Sequence, residues 1–270
     1  MKINAPFVEK VLTRFIRTEL SRFGYSNGIL GLSGGIDSTV AAYLSACALG
    51  PEHVMGLILP YGDTFPQDAD DARSVAAELG IRTQEIDIAP SVDAFYTRYP
   101  SKNQVLRGNK MARERMSILY EFSEREKALI IGTSNKTELL LGYGTLHGDM
   151  ACAICPLGDL YKTQLRALGK HLGVPDRILN KAPTAGLWDG QTDEKELGLS
   201  YAEIDEILFR LVDKRIPRDE LETRGYQAAK VDKLLRMIKR SEFKRRMPPI
   251  AKISERSVGH DFLYPYDRDK

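Results

Sequence analysis

The segment Gly31-Leu32-Ser33-Gly34-Gly35-Ile36-Asp37-Ser38 decides the fold, because an apolar run precedes it and a stretch with helical character follows it. Two adjacent glycines let the backbone turn sharply and approach a ligand without interference from a Cβ atom. The amides at the start of the following helix point into the turn, and the helix dipole favours an anion there. Asp37 adds an acid, as expected where a divalent cation bridges a carboxylate and phosphate oxygens. The alternative is an ordinary glycine turn between a strand and a helix.

The composition is that of a soluble globular protein. The 270 residues are 43% hydrophobic and 28% charged, and the net charge is +2, so no global field calls for nucleic acid or a membrane as partner. The start of the chain lacks a hydrophobic signal core, and no apolar run approaches the length of a membrane span. We therefore expect one large cytoplasmic domain covering residues 1–270.

The three cysteines do not form a disulfide framework in a chain of this length. Cys152 and Cys155 have the two-residue spacing of a redox or metal pair. A tetrahedral zinc site would need a second pair or histidines at ligand spacing, and the histidines do not have it. We favour the interpretation of two small buried thiols.

Strands alternate with helices along the first half of the chain. Short apolar runs predict the strands, and apolar residues at helical spacing predict the helices between them. This alternation predicts an α/β fold with a doubly wound parallel sheet flanked by helices, and further helices towards the C-terminus. The predicted strands are Gly28–Leu32, Val54–Leu59, Arg82–Ile88 and Ala128–Ile131, and the predicted helices are Pro6–Phe23, Ser38–Leu49, Asp68–Leu79, Asn109–Phe122, Tyr161–Leu172, Tyr201–Val212 and Val231–Phe243.

Three stretches between these elements are predicted to be loops. Pro90 and Pro100 mark the first, before the helix at Asn109, and glycine and small residues dominate 142–158. The third, Lys181–Gly198, is unusually long and rich in turn residues and charges that would not pack alone. Long loops in compact proteins are commonly functional, and we expect this one to be a lid that orders when nucleotide binds.

Ligands of parallel α/β sheets bind at the carboxyl ends of the strands, and three predicted strands end in suitable residues. The first delivers Ser33–Ser38, Gln67 lies just beyond the second, and Thr133 and Glu138 follow the fourth. Glu138 and Asp37 would supply two carboxylates to one Mg²⁺, which prefers octahedral oxygen ligands. The alternative for Glu138 is a carboxylate that only stabilises its helix N-terminus.

Several motifs, taken in order over most of the chain, resemble those of the ammonia-dependent NAD synthetases, a family of N-type ATP pyrophosphatases. The phosphate-loop motif is shared by that whole superfamily, whereas the Leu-Trp-x-Gly-Gln-x-Asp-Glu pattern is more particular to NAD synthetases. The matching stretches are residues 31–38, 108–116, 132–138, 156–164, 181–194 and 244–249.

The resemblance implies a fold, a reaction and a set of site residues. The fold is the adenine nucleotide hydrolase type, and the reaction amidates deamido-NAD to NAD through an acyl adenylate, releasing AMP and pyrophosphate. Asp37 and Lys162 are implied to be catalytic, and Asp37 and Glu138 to bind Mg²⁺. The implied ATP-binding residues are Gly31, Leu32, Ser33, Gly34, Gly35, Ile36, Asp37, Ser38, Gln67, Thr133, Lys162 and Thr184, and those for deamido-NAD are Arg113, Asp149, Phe243 and Lys244.

Each implied charged residue also has a plainer interpretation. Lys162 begins a helix and could be a solvated charge. Arg113 and Arg115 share a helix with many charges and could lie on the surface. Lys244 belongs to the basic run Lys239–Arg246, which is usually a solvated face. A tRNA-binding patch is another interpretation of that run, but no interleaved aromatic residues support it.

The chain departs from the common family pattern at a few positions. Many members have a lysine at the position of Leu146 and an aspartate at the position of Ala153, both attributed to dinucleotide binding. Many have a histidine in place of Phe243. These departures leave open how the phosphates and the nicotinate ring are held.

The resemblance also implies ammonia as nitrogen donor, without an amidase domain, and a homodimer with sites assembled across the interface. Two rival functions remain. One is a tRNA thiolase or GMP synthetase-like enzyme of the same fold, and a thiolase would make Cys152 and Cys155 catalytic. The other is a non-catalytic nucleotide sensor, against which the pair Asp37 and Glu138 argues, because simple binding needs no metal pair.

Overall fold

The structure is a computed structural model that describes residues 1–184, 186–188 and 190–258. The strands are β1 Asn27–Gly31, β2 Val54–Ile58, β3 Arg82–Glu85 and β4 Ala128–Ile130. The helices are α1 Ala5–Arg22, α2 Ile36–Leu49, α3 Pro66–Leu79, α4 Ala89–Arg98, α5 Gln104–Arg125, α6 Lys136–Leu141, α7 Lys162–Leu172, α8 Asp176–Leu179, α9 Asp193–Leu197, α10 Tyr201–Leu208, α11 Arg218–Thr223 and α12 Ala228–Arg240.

The four strands form a parallel sheet in the order β3-β2-β1-β4, which confirms the predicted doubly wound α/β class. Ile29 in β1 pairs with Met55 in β2 on one side and with Ile130 in β4 on the other. The chain moves outward from β1 to β3 and then returns to the far side of β1. The strand order therefore reverses between β1 and β4, and ligands of open α/β sheets bind in the crevice at such a reversal.

Helices cover both faces of the sheet, which explains why the middle residues of β1 and all residues of β2 are buried. Adjacent residues of β1 point to opposite faces: Leu30 packs in a core with α1, α2, α3 and α7. Ile29 packs in a second core with α4 and α5. A third apolar cluster joins α6, α10 and α12 around Tyr161 and Tyr201. This third layer positions the loops over the carboxyl edge of the sheet.

The predicted loop before Asn109 is wrong in two respects. Residues Ala89–Arg98 form α4, in which Pro90 occupies the first turn. Proline is tolerated there because the first-turn N–H groups have no intrahelical partner. Helix α5 begins at Gln104 rather than Asn109, since the Asn103 side chain accepts hydrogen bonds from two amides of its first turn. Pro90 was thus interpreted as part of a loop, whereas it lies in the first turn of a helix.

The predicted loop Lys181–Gly198 is partly helical. Residues Asp193–Leu197 form α9, and Asp193 is only 4% exposed, so the expectation that its charge would not pack is wrong. Helix α11 was also not anticipated, and Tyr201–Val212 divides into α10 and a π-helical turn, Phe209–Asp213. No helix within the described ranges is both long enough and apolar enough to span a membrane.

Candidate active site

A cavity of about 540 Å³ opens at the carboxyl edge of the sheet, beyond the ends of the paired strands β1 and β4. Its walls come from the loops after β1, β2 and β4, from α5, and from the segment that begins at Lys181. The predicted site residues that line it are Gly31, Leu32, Ser33, Gly35, Ile36, Asp37, Ser38, Thr133, Glu138, Asp149, Lys162, Thr184 and Lys244. The sequence motifs therefore converge on one site.

The loop after β1 has the conformation that its glycines predicted. Gly34 has φ +73°, and a Cβ atom built on it would lie 2.2 Å from the carbonyl oxygen of Asp68. Both the backbone conformation and the close approach therefore require glycine. Ser38 Oγ donates to the Gly35 carbonyl at 3.1 Å and lies 3.0 Å from Ser33 Oγ, which fixes the turn internally.

Helix α2 starts at this loop with its first amides free for a ligand. Its N-cap is Gly35, and no side chain of the described residues caps it. The first amides of a helix need partners, and the helix dipole makes an anion a favourable one. The amides of the loop and of the start of α2 are therefore suited to bind phosphate oxygens.

Lys162 joins two carboxylates at the wall of the cavity. Its ammonium contacts Asp37 and lies 3.2 Å from Glu138 Oε1, and the lysine side chain is only 3% exposed. Asn135 Nδ2 donates to the other oxygen of Asp37 at 2.8 Å, and the side chains of Asn135 and Glu138 cap α6. The motif after β4 thus reaches the phosphate loop directly.

The charges of this cluster shift one another's pKa values. Burial raises the pKa of Glu138 to about 8, and the charge of Asp37 adds to the rise, while Lys162 opposes it. Burial would lower the pKa of Lys162, but the charges of Asp37 and Glu138 outweigh burial and raise it. The lysine therefore stays protonated at neutral pH, so the cavity keeps a buried positive charge beside the phosphate loop.

Asp205 holds Lys162 at the first residue of α7. The Asp205 carboxylate is fully buried and accepts the Thr163 N–H at 2.8 Å and the Thr137 hydroxyl at 2.6 Å. Thr137 Oγ1 in turn accepts the Lys162 N–H at 3.1 Å. This carboxylate therefore ties the start of α7 to the start of α6, which carries Glu138.

The segment over the cavity is fixed at both of its ends. Lys181 makes ion pairs with Asp68 at 2.5 Å and with Asp71 at 2.7 Å, both on α3. At the other end, Asp193 accepts hydrogen bonds from the hydroxyls of Tyr143 and Tyr201. Thr184 lies between these two anchors along the chain.

Four predicted site residues do not line the cavity. Gly34 packs against the backbone of Asp68 on α3. Gln67 donates to Asp71 Oδ1 at 3.4 Å. Arg113 Nε donates to the Leu146 carbonyl at 3.2 Å. Phe243 is 62% exposed on the surface. Asp189, a charged residue of the predicted lid, lies outside the described residues.

Lys244 has a structural role in addition to its place on the cavity wall. Its ammonium donates to the carbonyls of Gly142 at 2.8 Å and Gly144 at 2.7 Å, in the loop after α6. Its neighbour Arg245 donates to the carbonyls of Leu139 and Leu140 at the end of α6. These two members of the basic run are therefore bound to backbone rather than solvated.

Arg115 lines the cavity, although its sequence context suggested that it could lie on the surface. Its Nε donates to the Leu59 carbonyl at 2.9 Å, at the end of β2. The signal was present in the sequence: Arg115 follows Met111 by four residues and precedes Leu119 by four. Residues at this spacing share one helix face, and Met111 and Leu119 are buried.

The cysteine pair packs behind the loop after β4. Cys155 Sγ donates to the Ser134 carbonyl at 3.3 Å, and a Cβ atom on Gly132 would lie 2.5 Å from Cys152 Sγ. A hydrogen bond with Cys155 lowers the pKa of Cys152. No group of three or more potential metal ligands of the His, Cys, Asp and Glu types occurs in the described part of the chain.

The comparisons with known proteins give a consistent picture. The family model described as NAD synthase matches residues 8–248. The NH(3)-dependent NAD(+) synthetase of Trichlorobacter lovleyi is 47% identical over 270 residues, covering 100% of this chain and 99% of its own. Both matches cover nearly the whole chain.

Solved structures agree with this assignment. An NH3-dependent NAD synthetase from Campylobacter jejuni, in complex with the nitrate ion, has a TM-score of 0.80 and 33% identity, over 93% of this chain and 100% of its own. An NMN synthetase from Francisella tularensis has a TM-score of 0.81 and 35% identity, over 93% and 99%. With the phosphate loop, the buried lysine and these full-length matches together, the chain belongs to the NAD synthase family.

Proposed function

We propose that this chain catalyses the ATP-dependent amidation of deamido-NAD by ammonia, forming NAD, AMP and pyrophosphate. One observation carries the proposal: a phosphate loop, a buried lysine and two carboxylates meet in one cavity of about 540 Å³. The family's curated members, which match over their full length, carry the name of this activity. The rival activities of the same fold are not favoured by these matches.

The reaction takes place in two steps. A carboxylate oxygen of the nicotinate ring attacks the α-phosphorus of ATP, and the bond to the pyrophosphate leaving group breaks. Ammonia then attacks the carbonyl carbon of the acyl adenylate, loses a proton and displaces AMP. No nucleophilic side chain is needed, because ATP itself converts the carboxylate oxygen into part of a good leaving group.

The chain contributes positioning and charge neutralisation. The amides at the start of α2 and the ammonium of Lys162 would bind the departing pyrophosphate, where negative charge accumulates. Holding carboxylate and α-phosphate together converts a bimolecular encounter into an intramolecular step. We assign Thr133 and Thr184, which line the cavity, to contacts with ATP.

The residues present fit a magnesium ion that arrives with ATP. Asp37 and Glu138 offer carboxylate oxygens on either side of Lys162, and Mg²⁺ is commonly held by one or two carboxylates together with phosphates. When bound, the ion would neutralise phosphate charge. We propose these two residues as its protein ligands.

The segment Lys181–Gly198 is proposed as the lid of this site. Its fixed ends and its position over the cavity would let residues 184–192 close on ATP. Closure excludes water, which matters because water competes with ammonia for an acyl adenylate.

The nitrogen donor is proposed to be free ammonia. The test is incubation with ATP, Mg²⁺ and deamido-NAD, with either ammonium or glutamine, while NAD and pyrophosphate are measured. We expect NAD from ammonium alone, and pyrophosphate only when the pyridine nucleotide is present. Pyrophosphate release without deamido-NAD, or no NAD with ammonium, would contradict the proposal.

A second candidate substrate is the mononucleotide of nicotinic acid. It is favoured by Leu146 and Ala153, which replace residues attributed to dinucleotide binding, and by the likeness to the structure named as an NMN synthetase. The same assay with the mononucleotide in place of deamido-NAD decides between them through the ratio of kcat/KM values.

A further inference from the structure

Arg115 is the starting point, because its charge is placed inside the cavity without an anionic partner. Its only hydrogen bond within the described residues is the one from Nε to the Leu59 carbonyl. The two terminal amino groups have neither a hydrogen-bond nor an ion-pair partner there, although the side chain lines the cavity. Arginine offers these groups as a planar fork that matches a carboxylate or phosphate.

A half-buried guanidinium that lacks an ionic partner is unfavourable for folding alone. Burial lowers the pKa of Arg115 to about 10, partly offset by the charges of Asp149 and Asp68. The group therefore stays charged at neutral pH. Arg115 is half-buried, and a partly desolvated charge without an ionic partner costs stability, so its presence is best explained by an anion that arrives with a ligand.

The part of α5 that carries Arg115 packs against the loop that carries Asp149: the Thr145 hydroxyl donates to Asn109 Oδ1 at 2.7 Å, and a Cβ atom on Gly148 would lie 3.1 Å from Ala112 Cβ, three residues before Arg115. The charges of Asp149 and Asp68 both act on the guanidinium. Asp149 is fixed by the Thr145 N–H, which donates to its carboxylate at 2.8 Å. Asp149 and Arg115 thus place a carboxylate and a cation on the wall of the same cavity.

This pair complements the reacting ring chemically. The nicotinate group of a pyridine nucleotide is a zwitterion, with a positive ring nitrogen and a negative carboxylate. We propose that Arg115 binds this carboxylate while Asp149 faces the positive ring, so that Arg115 selects nicotinate over nicotinamide. The inference rests on the proposed function, since it names how that function's substrate is recognised.

Such a contact orients the nucleophile and favours release of the product. Each carboxylate oxygen has two lone pairs, so an oxygen that accepts from the guanidinium can still attack phosphorus. Amidation removes the negative charge, and Arg115 then loses its ionic partner. The product is therefore expected to bind more weakly than the substrate at the same place.

The test compares Arg115→Met, Arg115→Lys and a control variant, Arg125→Gln. Arg125 is on the same helix and is exposed, with an ion pair to Glu121 and a contact over the Phe122 ring. For Arg115→Met we expect the KM for deamido-NAD to rise about 10- to 100-fold, as for loss of a charge-assisted hydrogen bond, while the KM for ATP changes less than about threefold. Arg115→Lys keeps the charge but not the fork, so a smaller rise in the same KM is expected. The control is expected to match the wild type.

Calorimetry without ATP supplies a second readout. The wild type is expected to bind deamido-NAD more tightly than NAD, and Arg115→Met to bind both with similar affinity. A merely structural role would weaken both ligands equally. If Arg115→Met does not fold, as judged by circular dichroism, Arg115→Lys is decisive in the same experiment.

The outcomes separate this inference from the proposed function. A rise in the KM for ATP instead, or a preserved preference for the nicotinate form, would overturn the role of Arg115 and assign the guanidinium to an ATP phosphate or to structure. A wild type that makes no NAD would overturn the proposed function. The binding preference would still test Arg115 in that case.

Discussion

The two ends of the cavity are built in different ways. At the phosphate end, consecutive residues of one loop supply most of the groups, and backbone amides and glycine conformation do much of the work. At the other end, Arg115, Asp149 and Lys244 come from three separate parts of the chain, and each acts through a side chain. Groups that the backbone of one loop supplies can be recognised from a local sequence motif. Groups that dispersed side chains supply can be located only when the fold is known.

Substitutions at the phosphate end of the cavity should lower activity more than substitutions at the other end. We predict that Asp37→Asn lowers turnover by at least about 100-fold, because a fixed charge is lost where charge develops in the transition state. Steady-state kinetics at saturating Mg²⁺ measures this, with circular dichroism to show that the fold is intact. Near-normal turnover under those conditions would refute the proposed role of Asp37.

The position of Lys162 depends on the carboxylate of Asp205, which we do not expect to contact the substrate. We predict that Asp205→Asn lowers kcat about tenfold and the free energy of unfolding by about 1–3 kcal/mol. The new amide group must face either the Thr163 N–H or the Thr137 hydroxyl, which already accepts from Lys162. One buried polar group is therefore left without a partner, and the start of α7 shifts.

Thr137→Ser is the matched control for this positioning role, because it keeps the hydroxyl. Denaturant unfolding and kinetics are measured on both variants. The role of Asp205 is refuted if Asp205→Asn loses stability while kcat keeps its value, since the carboxylate would then support only the fold.

The contrast between the two ends explains what could be predicted from sequence. The parallel sheet, the phosphate loop, and the convergence of Asp37, Glu138 and Lys162 follow from local patterns and a known motif. Arg115 was left undecided, because a charge on a charged helix looks solvated until the apolar face of that helix is known. The burial of Asp193 was not predicted because its hydrogen-bond partners, Tyr143 and Tyr201, are distant in sequence or belong to another helix.

The segment Lys181–Gly198 is predicted to limit hydrolysis of the acyl adenylate. Replacing residues 185–189 by a single glycine should raise the AMP formed per NAD severalfold, because water then reaches the acyl adenylate. Measuring AMP and NAD in the same reaction gives this ratio. In the intact protein, hydrogen exchange across residues 184–192 should slow when MgATP and deamido-NAD are added. Equal protection with and without ligands would mean that the loop is structural.

We propose that the homodimer implied by the resemblance uses an apolar surface outside the cores of the chain. Met111, Met116 and Leu119 of α5 do not contribute to it, because they are buried in the second core of the chain itself. The large apolar side chains exposed on α4, at its C-cap and on α5 are those of Phe95, Tyr99, Val105, Leu106 and Tyr120. A partner copy is the commonest way to cover such a surface.

We predict that Leu106→Asp weakens this dimer and lowers activity by about threefold at micromolar protein, since an unpaired charge would be buried at the interface. Leu106 is 54% exposed, so the substitution should leave the fold of one chain intact. Sedimentation velocity measures the association. A fully active wild-type monomer at the same concentration would refute the dimer.

The smallest effect is expected at Cys152 and Cys155, the residues that the thiolase alternative would make catalytic. Cys152 and Cys155 lie behind the loop after β4, and the cavity wall is formed by neighbouring residues rather than by their thiols. We predict that Cys152→Ser and Cys155→Ser each keep NAD formation within about threefold of the wild type, because serine is smaller and still offers a hydroxyl to the Ser134 carbonyl. The measurement is kcat/KM for deamido-NAD, with thermal unfolding to detect a packing defect. A thiolase would instead lose its activity with either cysteine, so a loss of more than about 100-fold in a variant of unchanged stability would return the cysteine pair to the reaction itself.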